Sequence, residues 1–178
     1  SEFGSARVDF ETTNANLLQT IDKPQGTYVM GGFIASNDRD VTTTLGRGGS
    51  DYTAAIVGAA LDAEEIEIWT DVDGVMTADP RKVKKAFSLS EMTYEEAMEM
   101  SHFGAKVIHP PTVQPALDKE IPLRIRNTFN TAFSGTLITS AIPQDNHPVK
   151  GITSIGDIAL VTVQGSGLIG VTGIAGRL

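Results

Sequence analysis

Short apolar runs along the chain predict β-strands. Thr27 to Ala35 is a continuous apolar run of the kind that is buried on both faces of a sheet, and Gly31-Gly32 inside it predicts a close approach by another group. β-Branched residues predict a second strand at Thr42 to Leu45, and regular alternation predicts a third at Glu65 to Thr70. A further strand is predicted at Pro122 to Asn127.

Amphipathic stretches between these runs predict helices. Met92 to Met100 carries apolar residues at helical spacing with glutamates outside, and another helix is predicted over Thr112 to Lys119. Helices are also predicted at Thr12 to Ile21, after a short strand at Arg7 to Phe10, and from about Ser50 to Leu61. Because strands and helices alternate, the fold class is α/β, with a mostly parallel sheet, helices on both sides and ligands at the carboxyl ends of strands.

The C-terminal part of the chain changes character. Thr131 to Pro148 is polar and contains proline, which predicts a linker. Ile158 to Val163 predicts a strand of a second unit, and Gly165 to Gly173 a glycine-rich loop. One strand and the first turn of a helix cannot bury a core, so we expect this second unit to be incomplete.

Composition narrows the possible partners and location. The 178 residues are 40% hydrophobic and carry a net charge of -8, which favours a folded core and argues against nucleic acid or an anionic membrane as the partner. The chain has no cysteine, which excludes disulfides and thiolate metal sites. With no long apolar stretch or signal-peptide pattern, we expect a cytoplasmic protein. Ser1 to Ser5 resembles a cloning remnant.

The segment from Thr42 to Tyr52, the glycine turn, joins a predicted strand to a predicted helix. Its glycines permit positive φ, and Ser50 or Asp51 can cap the helix. Free N–H groups at a helix start bind anions, and Arg47 adds a planar donor suited to a carboxylate or phosphate. An ordinary connection with glycines for close packing is the alternative, but Arg47, Ser50 and Asp51 together favour an anion site.

A second candidate site, the aspartate turn, begins at Thr70 to Gly74 and continues to Arg81. Its alternating acids resemble an EF-hand, but Val75 and Lys82 fall at positions where calcium ligands belong, which excludes that interpretation. A capped turn after a strand remains possible. The interpretation that we favour is a polar edge for a nucleotide, with Arg81 and Lys106 able to meet its phosphates.

Three other features suggest weaker hypotheses. Gly165 to Gly170 fits a dinucleotide pattern, but a single glycine match is easily produced by chance, and a packing turn explains it as well. His102 and His109 have no partners at metal-ligand spacing. Trp69 lies on an alternating strand and is expected in the core.

Four motifs in order closely resemble the aspartate kinases. The resemblance covers almost the whole chain and implies the amino acid kinase fold, a three-layer α/β/α sandwich. It also implies ATP-dependent phosphorylation of the L-aspartate β-carboxylate to 4-phospho-L-aspartate, the first step of lysine, threonine and methionine biosynthesis. The motifs are Thr43 to Ala54, Trp69 to Val75, Asp79-Pro80-Arg81 and Phe103 to Pro110.

The tail from Pro148 to Leu178 resembles the start of a regulatory ACT-type domain, in wording closest to bifunctional aspartokinase–homoserine dehydrogenases. After the cloning remnant at residues 1–5, the resemblance implies the C-terminal part of a kinase domain at 6–140. A linker at 141–150 and the truncated start of an ACT-type domain at 151–178 follow.

Site roles also follow from the resemblance. It implies that Arg47, Ser50 and Asp51 surround L-aspartate, with Arg47 gripping a carboxylate. It implies an ATP site lined by Thr70, Asp71, Arg81 and Lys106, with Mg²⁺ bridging the phosphates. No residue is needed as a general base, because the attacking carboxylate is already ionised.

The chain departs from the family in two ways. Met76 stands where the family commonly has a tyrosine beside the nucleotide. The lysine-phenylalanine-glycine-glycine motif of the N-terminal half is absent, so we expect the chain itself to be inactive or nearly so, and its exposed apolar surface to favour homo-oligomers. Two alternatives are another kinase of this fold, acting on glutamate, acetylglutamate or a nucleoside monophosphate, and a regulatory module that binds a small amino acid effector.

Overall fold

The computed structural model describes residues 6–21, 26–102, 108–141, 149–156 and 159. Four helices lie within these ranges: α1 (Phe10–Thr20), α2 (Gly49–Ala60), α3 (Tyr94–His102) and α4 (Pro110–Asp118). Six strands lie there too: β1 (Ile34–Ser36), β2 (Thr42–Thr44), β3 (Ile66–Thr70), β4 (Glu91–Thr93), β5 (Leu123–Asn127) and β6 (Thr136–Thr139). None of the described helices is long and apolar enough to cross a membrane.

The main sheet has four strands in the order β3-β5-β6-β4. β3 pairs parallel with β5 and β4 parallel with β6, whereas β5 and β6 run antiparallel. β1 and β2 form a separate antiparallel pair in which Ile34 lies opposite Thr44. The predicted α/β class is confirmed, and the antiparallel central pair makes the sheet mixed.

One face of the main sheet carries the core. Met92, Leu123, Ile125 and Ile138 are fully buried there, where α2 packs on β3 and α3 packs on β4 and β6. Burying each such side chain contributes roughly 1.5–3 kcal/mol, so this face supplies most of the stability. The Tyr94 hydroxyl donates to the backbone carbonyl of Ile121, which lies in the connection between α4 and β5. This hydrogen bond ties the start of α3 to that connection.

The opposite face of β3 and β5 is polar. Arg124 binds Glu65 through two hydrogen bonds of 2.8 and 2.7 Å, and Arg126 binds Glu67 at 2.9 Å. Trp69 points to this face and is 44% exposed, with the Arg126 guanidinium 4.4 Å from its ring centre. The prediction that Trp69 lies in the core is therefore wrong, because the alternation of the strand puts Trp69 on the same side as Glu67.

The predicted linker at Thr131 to Pro148 contains an interior strand, so this prediction is wrong at β6. β6 lies between β5 and β4, and its Thr136 and Ile138 have no exposed surface. Four residues that include two threonines carry too weak an apolar signal to predict a strand from the sequence. The short β4, from Glu91 to Thr93, was missed for the same reason.

The N-terminal strands are shorter than predicted. Only the end of the run from Thr27 to Ala35 is a strand, and Val29 is 94% exposed. Arg7 to Phe10 is not a strand, because the Asp9 carboxylate accepts from the Thr12 N–H at 3.2 Å and caps α1. A strand pattern read from apolar composition alone misled the prediction here.

The described part of the tail packs on the first unit. Lys150 forms an ion pair of 3.0 Å with Glu96, whose carboxylate also accepts from the Thr93 N–H at the start of α3. The Ile152 N–H donates to the Thr77 carbonyl at 2.8 Å. The glycine-rich loop predicted at Gly165 to Gly173 lies outside the described residues, as does the strand predicted before it, apart from residue 159.

Candidate functional site

The glycine turn uses backbone conformation to reverse the chain between β2 and α2. Gly46 and Gly48 have φ of 80° and 69°, and the Gly49 N–H donates to the Gly46 carbonyl at 3.0 Å. Gly48 is the N-cap of α2, and no side chain caps it. The predicted cap by Ser50 or Asp51 is therefore wrong, because a left-handed glycine starts the helix earlier and places both residues in its first turn.

A neighbouring segment holds the glycine turn closed. The Leu45 N–H donates to the Phe33 carbonyl at 3.0 Å, and the Phe33 N–H donates to the Thr53 hydroxyl at 3.0 Å. A Cβ at Gly49 would lie 2.6 Å from a Phe33 ring carbon, and one at Gly32 would lie 3.3 Å from the Cα of Ser50. The predicted close approach at Gly31-Gly32 is thus confirmed: the approaching group is the backbone at the start of α2.

The polar side chains that follow Gly46 in the glycine turn are exposed or half-buried. Arg47 is exposed and makes no hydrogen bond or ion pair with another described residue. The Ser50 hydroxyl donates to Asp51 at 3.4 Å. Burial raises the pKa of the Asp51 carboxyl, although the Ser50 hydroxyl and the nearby His109 at the start of α4 oppose that rise. The structure therefore presents an uncommitted guanidinium and a half-buried carboxylate on one turn.

The aspartate turn begins at the carboxyl end of β3. The Thr128 N–H donates to the Thr70 carbonyl at 2.9 Å, and the Thr70 hydroxyl donates to Asp71 at 3.2 Å. Asp71 is exposed. Thr70 and Asp71 thus form an accessible hydroxyl and carboxylate pair at the sheet edge where ligands of α/β folds collect.

Asp73, two residues later, faces the protein. One of its carboxylate oxygens accepts from the side-chain amides of Asn127 at 2.8 Å and Asn130 at 3.0 Å. Sequence reasoning missed both asparagines, although their position at the carboxyl end of β5 was a signal that could have found them. Within the described ranges no three histidine or acidic side chains cluster closely enough to hold a metal ion.

A buried hydroxyl fixes the end of this turn. Thr136 accepts from the Val75 N–H at 2.9 Å and donates to the Leu89 carbonyl at 2.6 Å. Gly74 has φ of 100°, and a Cβ there would overlap the Thr136 hydroxyl. The sulfur of Met76 accepts a hydrogen bond from the Ser88 hydroxyl, 3.2 Å away.

Arg81 lies further along the aspartate turn, on an exposed loop. Its guanidinium makes two hydrogen bonds of 3.0 and 2.9 Å to Asp79, and its side chain is 88% exposed. These hydrogen bonds lower the pKa of Asp79. Lys106, the other predicted phosphate ligand, lies outside the described residues. The structure thus brings Thr70 and Asp71 together and pairs Arg81 with an acid of its own loop.

The fold and these two turns define an α/β protein with exposed polar side chains near the carboxyl ends of β2 and β3. The chain belongs to the amino acid kinase family, whose sequence model matches residues 2–127.

The relatives are aspartokinases, which confirms the resemblance read from the motifs. The chain is 48% identical over 158 residues to bifunctional aspartokinase/homoserine dehydrogenase 2, chloroplastic, from Arabidopsis thaliana, covering 85% of this chain and 17% of that protein. It matches E. coli aspartokinase III in complex with aspartate and ADP at TM-score 0.71 and 41% identity, covering 80% of this chain and 32% of that one.

A third comparison is structural as well. Clostridium acetobutylicum aspartate kinase, described as an allosteric enzyme, matches at TM-score 0.77 and 34% identity over 84% of this chain and 35% of its own. The chain therefore spans about a third of the solved kinases and a smaller share of the bifunctional relative.

Proposed function

We propose that the chain carries the nucleotide side of an aspartate kinase, which transfers the γ-phosphoryl group of ATP to the β-carboxylate of L-aspartate. The observation that carries this proposal is that the glycine turn presents two groups of opposite charge. Arg47 has no hydrogen-bond or ion-pair partner among the described residues, and Asp51 is half-buried on the same turn. L-Aspartate bears two carboxylates and one ammonium group, so a ligand of this kind needs both a cation and an anion from the protein. A nucleoside monophosphate needs no such acid.

Arg47, Ser50 and Asp51 are proposed to hold the amino acid. The guanidinium of Arg47 can bind a carboxylate through two parallel hydrogen bonds, each charge-assisted. Burial disfavours the ionised form of Asp51, and an ammonium group arriving beside it would offset that cost. Ser50 already donates to Asp51, which orients the carboxylate before the ligand arrives.

Thr70, Asp71, Arg81 and Lys106 are proposed to line the ATP site. Phosphoryl transfer depends on positioning and on neutralising charge, so these residues bind and orient rather than react. Mg²⁺, when bound with ATP, would neutralise part of the charge on the phosphates. Arg81 can serve a phosphate only by exchanging its present partner, Asp79, which its exposed loop position permits.

Other properties of the longer protein stay predictions. Exposed apolar side chains such as Val29 and Ile34 support the predicted homo-oligomer, and the complex of E. coli aspartokinase III with lysine and aspartate supports an amino acid effector. The division at residues 140 and 150, the cytoplasmic location and the expected low activity of the chain alone also stay predictions.

A substrate panel tests the proposed function. ADP release would be measured with L-aspartate, L-glutamate, N-acetylglutamate and UMP as acceptors, for this chain and for a longer protein that contains it. We expect turnover with L-aspartate in the longer protein and little in the chain alone. Arg47→Ala should raise KM for L-aspartate by about 10- to 100-fold, because a charge-assisted hydrogen bond contributes roughly 1.5–3 kcal/mol.

The matched control is Arg39→Ala, which removes the same charge from an exposed turn outside the site. Equal turnover with another acceptor, or a KM for L-aspartate that Arg47→Ala leaves unchanged, would contradict the proposal.

A further inference from the structure

The second acid of the aspartate turn is committed to two amides that can only donate to it. Asn127 is 9% exposed, its amide oxygen accepts from the Phe129 N–H at 2.8 Å, and its amide nitrogen therefore faces Asp73. Asn130 donates to the same oxygen of Asp73 from the loop beyond β5. An aspartate suits this position because a carboxylate accepts at every lone pair, whereas an asparagine carries donors of its own.

These contacts tie the turn to β5 and β6 at three places. The Thr128 N–H holds the Thr70 carbonyl at the start, the two amides hold Asp73, and the Thr136 hydroxyl holds the Val75 N–H at the end. Between the first and second of these ties lie only two residues, Asp71 and its neighbour at 72, and both are exposed. Exposed residues between two fixed points have little freedom to change direction, and the Thr70 hydroxyl also donates to Asp71.

We propose that Asp73, Asn127 and Asn130, named here the Asp73 clasp, are positioning residues that hold Thr70 and Asp71 in the orientation that receives the nucleotide. The inference rests on the proposed function, because it assigns the clasp to the ATP site. Asp73 itself contacts neither nucleotide nor metal, since its charge is directed into the protein. The two acids of the turn thus have different roles: Asp71 faces the ligand, and Asp73 keeps Asp71 in place.

An exchange of the two facing groups tests the clasp. Asn127→Asp places a carboxylate against Asp73 while keeping the oxygen that binds the Phe129 N–H. Adding Asp73→Asn to this variant restores a pair of one amide donor and one carboxylate acceptor. The donor is then at position 73 and the acceptor at position 127. Asn16→Asp, at an exposed position on α1, is the matched control for the added charge.

The first readout is the backbone ¹⁵N order parameter of Asp71 without ligand. We expect about 0.85 in the unaltered chain, below about 0.6 in Asn127→Asp, and recovery in the double variant. A clasp that only stabilises the fold would lower the melting temperature and leave this order parameter unchanged in the folded protein, and that result would overturn the proposal. If Asn127→Asp does not fold, Asn130→Ala removes one donor from the exposed side and should give a smaller loss of order.

The second readout is the Kd for Mg-ATP by calorimetry in the same variants. We expect about tenfold weaker binding in Asn127→Asp and recovery in the double variant, because small misplacements of binding groups are costly. An unchanged Kd alongside a disordered Asp71 would overturn the assignment of the clasp to the nucleotide. Failure of the unaltered chain to bind Mg-ATP would instead contradict the proposed ATP site, while the order parameters would still decide whether the clasp orders Asp71.

Discussion

The two candidate turns are built by different means. The glycine turn takes its shape from backbone conformation at Gly46 and Gly48, and its Arg47 makes no hydrogen bond or ion pair with another described residue. The aspartate turn takes its shape from side-chain hydrogen bonds, and two of its acids, Asp73 and Asp79, are held by partners in the protein.

The difference shows that the number of charged residues in a turn is not the number of groups that are available to bind a ligand. A turn that glycines shape can leave all its charges to a ligand, because no side chain is needed to hold the backbone. In a turn that is shaped by side chains, some charged groups hold the backbone in place and are not available to a ligand. The DVDG sequence of the aspartate turn therefore leaves one acid, Asp71, exposed, while the other, Asp73, is hydrogen-bonded within the protein.

The largest expected effect comes from Gly74→Ala in the aspartate turn. A Cβ there would overlap the buried Thr136 hydroxyl, and φ of 100° is strained for alanine. We expect a loss of about 3 kcal/mol in the free energy of unfolding, measured by urea denaturation. Gly156→Ala is the control, because nothing lies within 4 Å of its Cβ. Equal stability of the two variants would contradict this account of the turn.

Thr136→Val should have the next largest effect. The change keeps the shape of the side chain but leaves the Val75 N–H and the Leu89 carbonyl buried without their partner, at a cost of about 2 kcal/mol. Hydrogen exchange at Val75 measures the lost tie directly. Thr136→Ser keeps the hydroxyl and should keep Val75 protected; if both variants exchange alike, the hydroxyl is not what fixes the turn.

Asp51→Asn should stabilise the glycine turn slightly at neutral pH. Burial raises the pKa of Asp51 in the folded state, so folding is favoured by the protonated form and loses stability as pH rises from the unfolded pKa through the folded one. Near pH 7 the variant should gain on the order of 0.5 kcal/mol, a figure reduced for partial exposure. The gain should vanish near pH 3.5, below the unfolded pKa of about 3.9. A variant less stable at both pH values would show that the charge supports the fold.

The smallest expected effect on stability belongs to Arg47→Ala. An exposed side chain without partners contributes within about 0.5 kcal/mol, and thermal denaturation should barely register its loss. Arg81→Ala removes a bidentate but exposed ion pair with Asp79, so its loss of stability should be small but larger than that of Arg47→Ala. A larger loss at Arg47 than at Arg81 would reverse the contrast drawn between the two turns.

The sequence predicts the elements whose pattern is strong. β3 and β5 alternate clearly and are present where predicted, and α2, α3 and α4 lie within a few residues of their predicted bounds. The interior strand β6 was missed because its burial is decided by the neighbours on either side, and its threonines resemble a loop. Apolar residues near Val29 predicted a buried strand, yet Val29 is 94% exposed and Met30 is 56% exposed.

Part of the candidate site could also be predicted and part could not. Motifs identified Arg47, Asp51 and Asp71 as candidate site residues, because residue types and turn glycines are visible in the sequence. The support given by Asn127 and Thr136 could not be predicted, since each lies more than fifty residues from the turn that it holds and only folding brings them together. Likewise, the N-cap of α2 is a left-handed Gly48. The sequence instead predicted a cap at the nearby serine or aspartate, because these residue types commonly cap helices.

The most direct test of the account is calorimetric titration of Mg-ATP into this chain and into the Arg81→Ala, Lys106→Ala double variant. A Lys84→Ala, Lys85→Ala double variant removes the same charge from exposed positions on the loop after Arg81 and serves as the control. The account predicts that the unaltered chain and the control bind, and that the Arg81, Lys106 variant does not. No binding by the unaltered chain, or equal binding by all three, would contradict the nucleotide site assigned to the aspartate turn.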